Sequence, residues 1–225
     1  MGRVLLRPAL TALSLLAPLP ALAENFALLI GASTYDNLEE RYWLQGPAND
    51  VALVRTYLTD SAPVPYAADH VTALADGVEG AGAPTLQGIR DGFAAMAARV
   101  GPGDFVYLHF SGHGTQAPAL HPETEEDGLD EMFLPVDIGA WDDSVGSVEN
   151  ALVDDEIGVL IGSLRAKGAT VWAVFDACHS GTVTRAAPAD GEEVRMRKLD
   201  PSALGVPDAA MADACAWART VFAGG

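Results

Sequence analysis

Short apolar runs alternate with amphipathic segments along most of this chain. Four runs of five to seven residues are dominated by apolar side chains and stop at Gly or at polar turn residues, which is typical of buried strands; they lie at 26–31, 71–75, 105–110 and 169–175. Between them, apolar residues recur at helical spacing in three segments, which begin near 47–50, 85 and 154–156. The order β-α-β-α-β-loop-α-β predicts an α/β fold with a mostly parallel central sheet and helices on both faces.

Three remaining segments lack this pattern. The acidic stretch from about 115 to 150 is expected to be a long loop, and the mixed-charge stretch 182–201 a surface loop. After a weakly helical segment, residues 220–225 look like the beginning of a strand. With 225 residues, of which 49% are hydrophobic, the chain is long enough for one domain with a substantial core.

Residues 1–23 have the pattern of a secretory signal peptide. Arg3 and Arg7 flank the start of an apolar run, and residues 21–23 read Ala-Leu-Ala, a small-x-small cleavage pattern. Pro18 and Pro20 make the run a poor membrane span. We therefore expect an exported, periplasmic or extracellular protein, with residues 24–225 as its domain and no membrane span once the signal is removed.

The net charge of −18 narrows the classes of partner. A domain this acidic has no electrostatic reason to bind nucleic acid or an anionic membrane. Basic peptides would be attracted, although the charge could equally serve solubility alone.

Reactive side chains follow two of the predicted strands. One strand runs into Ser-Gly-His-Gly, with His113 and Gly114, and another into Asp-Ala-Cys-His-Ser-Gly, with Cys178. The carboxyl ends of parallel strands meet at one edge of a sheet, where α/β proteins keep their sites. An imidazole can activate a thiol and then protonate a leaving amine, while the N–H of Gly114 can stabilise a developing oxyanion.

Other candidates for these roles are weaker. His179 adjoins Cys178 in sequence, so its side chain is expected to point away. His109 alternates within a strand and is expected to be structural, and Cys215, in an Ala-rich helical pattern, is expected to serve packing. No Cys-x-x-Cys or His-x-x-x-His pair indicates a zinc site.

The two strand-end motifs together resemble the signatures of metacaspases, cysteine peptidases of the caspase-like clan. Segments 44–50, 127–131 and 135–137 resemble that family's first-helix entry and acidic loop, so the similarity covers about residues 26–184. It implies a caspase-like three-layer fold that is truncated after the nucleophile strand, with the family's smaller catalytic portion largely missing.

The resemblance also implies roles for particular residues. His113 becomes the acid/base, Cys178 the nucleophile and Gly114 an oxyanion donor. An acidic pocket that selects Arg or Lys before the scissile bond would contain Asp50 and Asp176, with Ser111 nearby. From the residues alone, a helix cap is the preferred interpretation of Asp50 and a turn former that of Asp176; the resemblance favours the pocket.

Calcium is the one cofactor that the resemblance brings in; the chemistry itself needs none. The family's oxygen ligands would fall on Asp130, Asp154 and Asp155, although the last two could simply stabilise a helix start. Arg185 stands where a further aspartate is usual, which disfavours calcium. Pro47 replaces a cysteine that shapes the pocket in many members.

Taken together, the sequence predicts an exported cysteine endopeptidase that cuts proteins after Arg or Lys. A catalytically silent caspase-like interaction module, and another hydrolase or acyltransferase that uses the same dyad, remain alternatives. Since 182–201 is expected to be a basic surface loop next to Cys178, self-cleavage after Arg195, Arg197 or Lys198 is a further hypothesis, with a simple solvated linker as the alternative.

Overall fold

The computed structural model describes residues 23–177 and 197–222, and its centre is a four-stranded parallel sheet. The sheet consists of β1 (Asn25–Gly31), β2 (Val71–Ala75), β3 (Phe105–Ser111) and β9 (Thr170–Asp176). Their order across the sheet is β2-β1-β3-β9. All four coincide with the predicted apolar runs, so the prediction of a parallel sheet is confirmed.

Helices cover both faces of this sheet. On one face lies α1 (Gly46–Thr56), which continues into a π-helical turn at Tyr57–Ser61. On the other lie α2 (Leu86–Ala97) and α3 (Asp154–Arg165). Alternate residues of β1 enter two separate cores, Leu29 with α1 and Leu28 with α2, because successive side chains of a strand point to opposite faces. The three-layer α/β arrangement expected from the sequence is therefore confirmed.

The segment expected to be one long loop contains two further sheets, so that expectation was wrong. In the first, β4 (Gly114–Pro118), β5 (Leu129–Phe133) and β8 (Leu152–Val153) pair antiparallel; in the second, β6 (Trp141–Asp142) pairs with β7 (Ser147–Val148). Their strands form because alternate small or apolar residues, such as Thr115 and Ala117, are fully buried. This alternation was not recognised in the sequence, because acidic residues separate the short strands.

The C-terminal segment packs back onto the main core. A 3-10 turn (Pro201–Leu204) leads into α4 (Asp208–Phe222), and Leu199, Leu204 and Val206 are each at most 3% exposed. Thr220–Phe222 end α4, so the strand predicted there is not formed by these three residues. Two more 3-10 turns, Glu40–Tyr42 and Ala68–His70, lie in the loops before α1 and β2. Among the described residues, no helix has the length and apolarity needed to cross a membrane.

Candidate active site

Strand register brings three chain segments together at the carboxyl edge of the sheet. Gly31 of β1 lies opposite Ser111 of β3, which lies opposite Asp176 of β9. A Cβ on Gly31 would come within 2.7 Å of the Val51 side chain and 2.8 Å of the Pro47 carbonyl oxygen. Glycine at this position therefore lets the first turn of α1 lie directly over the end of β1.

The second turn of α1 carries Asp50 to the same edge. The Ser111 hydroxyl donates to Asp50 Oδ2 at 2.8 Å. The alternative of Asp50 as a helix cap does not hold, because α1 begins at Gly46 with Gln45 at the N-cap position and Asp50 lies inside the helix. All three residues predicted to form the acidic pocket (Asp50, Ser111 and Asp176) are thus brought together.

The pocket between these residues holds a cation from the same chain, the guanidinium of Arg197. Its Nη2 lies 2.8 Å from Asp50 Oδ2, and its Nη1 lies 2.7 Å from Asp176 Oδ2 and 2.6 Å from Ser111 Oγ. The Arg197 side chain is only 14% exposed. A Cβ on Gly46 would lie 2.6 Å from Arg197 Nη2, so a side chain at this position would displace the guanidinium.

The backbone of Arg197 lies across the strand end that carries His113. Its carbonyl oxygen accepts the N–H of Gly114 at 2.9 Å and lies 3.2 Å from Nδ1 of His113. The N–H of Leu199 in turn donates to the Gly114 carbonyl at 2.9 Å, so residues 197–199 pair with the start of β4. The basic side chain of Arg197, its carbonyl, the His113 imidazole and the N–H of Gly114 thus converge.

His113 is held rigidly at this position and is only 3% exposed. Its Nε2 lies 2.6 Å from the Tyr42 carbonyl oxygen, its backbone N–H donates to the Tyr35 hydroxyl at 3.0 Å, and the Tyr35 ring packs 5.3 Å from the imidazole. Both ring nitrogens face a carbonyl, which can only accept, and the contact of Nε2 with Tyr42 is the shorter one, at 2.6 Å against 3.2 Å for Nδ1 and Arg197. This favours a proton on Nε2 in the neutral ring and leaves Nδ1 as the basic nitrogen.

Burial lowers the pKa of His113, and the positive charge of Arg197 lowers it further, while hydrogen bonds to the Tyr42 and Arg197 carbonyls act in the opposite direction. The neutral imidazole is therefore the favoured form near neutral pH. A cleft of about 270 Å³, lined in part by Tyr42 and Lys198, opens beside the ring.

Sequence reasoning missed the roles of Tyr35 and Tyr42. The Tyr35 hydroxyl also donates to the Ala32 carbonyl at 3.0 Å, and burial raises the pKa of this phenol well above its ordinary value. The Tyr42 contribution is a backbone carbonyl, which any residue could supply. No signal in the sequence could have identified it.

A second group of acids converges away from this pocket. Carboxylate oxygens of Glu125, Glu131 and Asp154 lie within 4.8 Å of one another, close enough to hold one metal ion together. Asp130 and Asp155, which were expected as ligands with Asp154, lie near enough to raise the pKa of Glu125, although its own burial raises it more. Burial chiefly raises the pKa of Asp130 as well, and Asp154 adds to this effect. Asp154 and Asp155 also occupy the first turn of α3.

Several residues singled out in the sequence lie outside the described residues: Cys178, His179, Arg185 and Arg195. β9 ends at Asp176, two positions before Cys178. Cys215 lies in α4 and is partly buried.

A parallel sheet whose carboxyl edge joins a buried imidazole to an acidic pocket defines an α/β protein of the caspase-like class. The sequence profile of the metacaspase peptidase C14 domain matches residues 26–187. The chain therefore belongs to the metacaspase family of cysteine peptidases.

Individual relatives agree with this assignment. The chain is 32% identical over 155 residues to Metacaspase-7 of Arabidopsis thaliana, 32% over 162 residues to Metacaspase-1 of Candida albicans, and 34% over 157 residues to Metacaspase-1 of Botryotinia fuckeliana. These matches cover 69–70% of this chain but only 33–34% of the relatives, so the chain spans about a third of their length. Among solved structures, protein GSU0716 of Geobacter sulfurreducens matches with a TM-score of 0.53 and 28% identity, over 80% of this chain and 59% of that one.

Proposed function

We propose that this protein is an exported cysteine endopeptidase that hydrolyses peptide bonds after Arg or Lys, with Cys178 as nucleophile and His113 as acid/base. One observation carries the proposal: the guanidinium of Arg197 lies between Asp50 and Asp176 while its own carbonyl meets Gly114 and His113. A protein substrate with a basic residue before the scissile bond would place the same groups in the same positions.

Charge and shape both favour a basic side chain in this pocket. Two carboxylates and a hydroxyl surround a planar guanidinium, and charge-assisted hydrogen bonds of this kind are about twice as strong as neutral ones. Both carboxylates are mostly shielded, with 33% and 36% of their side chains exposed, so water screens the attraction less than at an open surface. An acidic side chain would face two like charges here.

The proposed reaction begins with proton transfer from the Cys178 thiol to Nδ1 of His113. The thiolate attacks the substrate carbonyl carbon, and the oxygen that becomes negative accepts the Gly114 N–H. When the C–N bond breaks, the amine takes the proton from His113 and leaves a thioester. Water, deprotonated by His113, then attacks the thioester, the C–S bond breaks, and the thiol is restored.

Calcium binding is a second part of the proposal. Calcium prefers oxygen ligands such as carboxylates. Burial and, after it, repulsion between neighbouring carboxylates raise the pKa values of Glu125 and Asp130, and a bound cation would relieve this repulsion. Glu125, Glu131 and Asp154 would hold the ion, with Asp130 and Asp155 adding negative charge around it.

The proposal of export rests on residues 1–23, which resemble a signal peptide. N-terminal sequencing of the secreted protein tests it, and the expected first residue is Glu24.

Turnover of a fluorogenic peptide ending in Arg tests the proposal directly. Cys178→Ala should abolish both hydrolysis and labelling by a thiol-reactive arginine peptide, whereas Cys215→Ala, the matched control, should preserve both. Equal loss in the two variants would contradict the nucleophile assignment. No turnover in the wild type, with or without calcium, would instead support the silent interaction module. Acyl transfer to an added amine without hydrolysis would support a transferase.

A further inference from the structure

His109 is a buried imidazole next to the acidic pocket. It lies on β3 two residues before Ser111, and therefore on the same face of the sheet, about 7 Å away along the strand. Its residue is 7% exposed. Nδ1 faces the Tyr107 hydroxyl at 3.4 Å, and within the described parts of the chain Nε2 is buried without a hydrogen-bond partner.

Among the described residues, three charged groups influence the pKa of this imidazole: Asp50 from α1, Asp176 from β9 and the guanidinium of Arg197. On β1, the facing residue is Leu29, which cannot ionise. Tyr107, on the same strand, is a phenol whose pKa burial raises, so it stays neutral at the pH values at which histidine titrates. The two carboxylates and the pocket cation therefore dominate the electrostatics at His109.

We propose that His109 makes cation binding in the pocket depend on pH, because its imidazole binds a proton when the pocket lacks a cation and releases it to solvent when a guanidinium enters. The inference rests on the proposed function, since it treats Arg197 as a stand-in for the substrate cation. Two positive charges next to one pair of carboxylates repel each other, so a proton on His109 competes with the substrate.

The sign of the pH dependence follows from these charges. With Arg197 in place, burial chiefly lowers the pKa of His109, Asp50 and Asp176 raise it, and Arg197 lowers it. Removing the cation takes away one lowering contribution, so the pKa of His109 is higher in the empty pocket. Affinity for a cation should therefore decrease as the pH falls through that higher pKa, by up to about tenfold per pH unit.

Histidine titrations by NMR test this without any turnover. All proteins carry Cys178→Ala to prevent cleavage, and the His109 ring is assigned through its contact with Tyr107. Arg197→Gln, which removes the pocket cation, should raise the pKa of His109. Lys198→Ala, which removes a neighbouring cation outside the pocket, should leave it unchanged. An unchanged or lower pKa in Arg197→Gln would overturn the proposal.

Kinetics in the active enzyme give a second readout. For an arginine peptide, KM of Arg197→Gln, whose pocket is empty before the substrate binds, should rise at low pH, while adding His109→Gln or His109→Asn should flatten that rise. A cation in the pocket also lowers the pKa of His113, but the variants with and without the His109 change all retain His113. A difference between their pH profiles is therefore caused by His109. An identical pH dependence of KM in the variants would contradict the proposal. Absence of turnover in the wild type would count against the proposed function alone, because the NMR titration still decides the role of His109.

Discussion

At the scale of single residues, the carboxylate of Asp50 shows how a helix position becomes a recognition group. The residue stands in the second turn of α1, just past the first turn, where the helix dipole favours an acid most. Here its Oδ2 instead accepts from Ser111 and Arg197, each at 2.8 Å. Because both donors come from other elements, the carboxylate faces the pocket rather than its own helix.

Loss of this carboxylate should reduce activity toward basic substrates. We expect Asp50→Asn to raise KM and to lower kcat/KM for an arginine peptide at least about tenfold, because a substrate cation loses one of two shielded charge partners. Asp60→Asn, in the π-helical turn, is the control and should change neither constant. Unchanged kcat/KM in Asp50→Asn, or faster cleavage after Asp than after Arg, would refute the assignment of this pocket.

At the scale of elements, the segment 197–199 is held to β4 by pairing on both sides of Gly114. The Gly114 N–H donates to the Arg197 carbonyl, and the Leu199 N–H donates to the Gly114 carbonyl. Thr115 Oγ1 adds a hydrogen bond to the Leu199 carbonyl at 2.8 Å. Arg197 and Lys198 are the two described residues among those first considered for self-cleavage, and of these two Arg197 has the side chain and carbonyl that match the proposed substrate position.

Self-cleavage should accordingly occur between Arg197 and Lys198. Incubated wild-type protein should give fragments with this boundary by mass spectrometry, and Arg197→Gln should prevent the cut. Arg195→Gln is the matched control and should be cut normally. Fragments that form equally in Cys178→Ala would indicate a contaminating protease, and cuts only after Arg195 or Lys198 would contradict the choice of Arg197.

The acidic cluster between β5, α3 and the preceding loop leads to a prediction about calcium. A ligand that binds only the folded state at one hundred times its Kd stabilises it by about 2.7 kcal/mol, which should raise Tm by several degrees. Glu131→Gln should remove this shift, while Asp208→Asn, at the start of α4, should retain it. If calcium leaves Tm unchanged, or Glu131→Gln responds like the wild type, the cluster is not a calcium site.

At the scale of the whole molecule, the C-terminal segment belongs to the same core as the sheet. Leu199, Leu204 and Val206 lie in one hydrophobic cluster with Phe110 of β3, and α4 contacts β4 and β5. Burial of each of these three side chains contributes roughly 1.5–3 kcal/mol. By contrast, β9 is an edge of the sheet among the described residues, where Trp172 and Phe175 remain 60% and 40% exposed.

A cut after Arg197 should therefore leave the two fragments associated. Native mass spectrometry or gel filtration of the cleaved protein should find them together, and denaturant should separate them. Leu204→Ala should weaken this association, because a large-to-small change in a core costs about 2–5 kcal/mol, whereas Val221→Ala, at a half-exposed position, should not. Spontaneous separation of the wild-type fragments would contradict the prediction.

The sequence by itself determined the elements whose causes are local. Apolar runs predicted the four parallel strands, and helical spacing after Thr85 predicted α2. The Thr85 hydroxyl caps this helix, because it accepts the Gly88 N–H at 3.0 Å. The antiparallel strands after Gly114 were missed because they are short and separated by acids. Strand ends with His113 and Ser111 were recognisable because turn residues stop an apolar run abruptly, and the rule for parallel sheets places such ends at one edge.

The family resemblance predicted that Asp50, Ser111 and Asp176 share a pocket, but only the tertiary structure decided which atoms meet there. Ser111 and Asp50 are 61 positions apart, His113 and the Tyr42 carbonyl 71, and Arg197 and Asp50 147. Periodicity within a window of ten to twenty residues carries no information on such pairings. The role of the Tyr42 carbonyl could not be predicted, because every residue has a backbone carbonyl. Arg197 lies in a polar stretch, and a basic residue in such a stretch is expected to be exposed to solvent. The pocket, the tautomer of His113 and the position of Arg197 therefore follow from strand register and helix placement, which form only when the whole core packs.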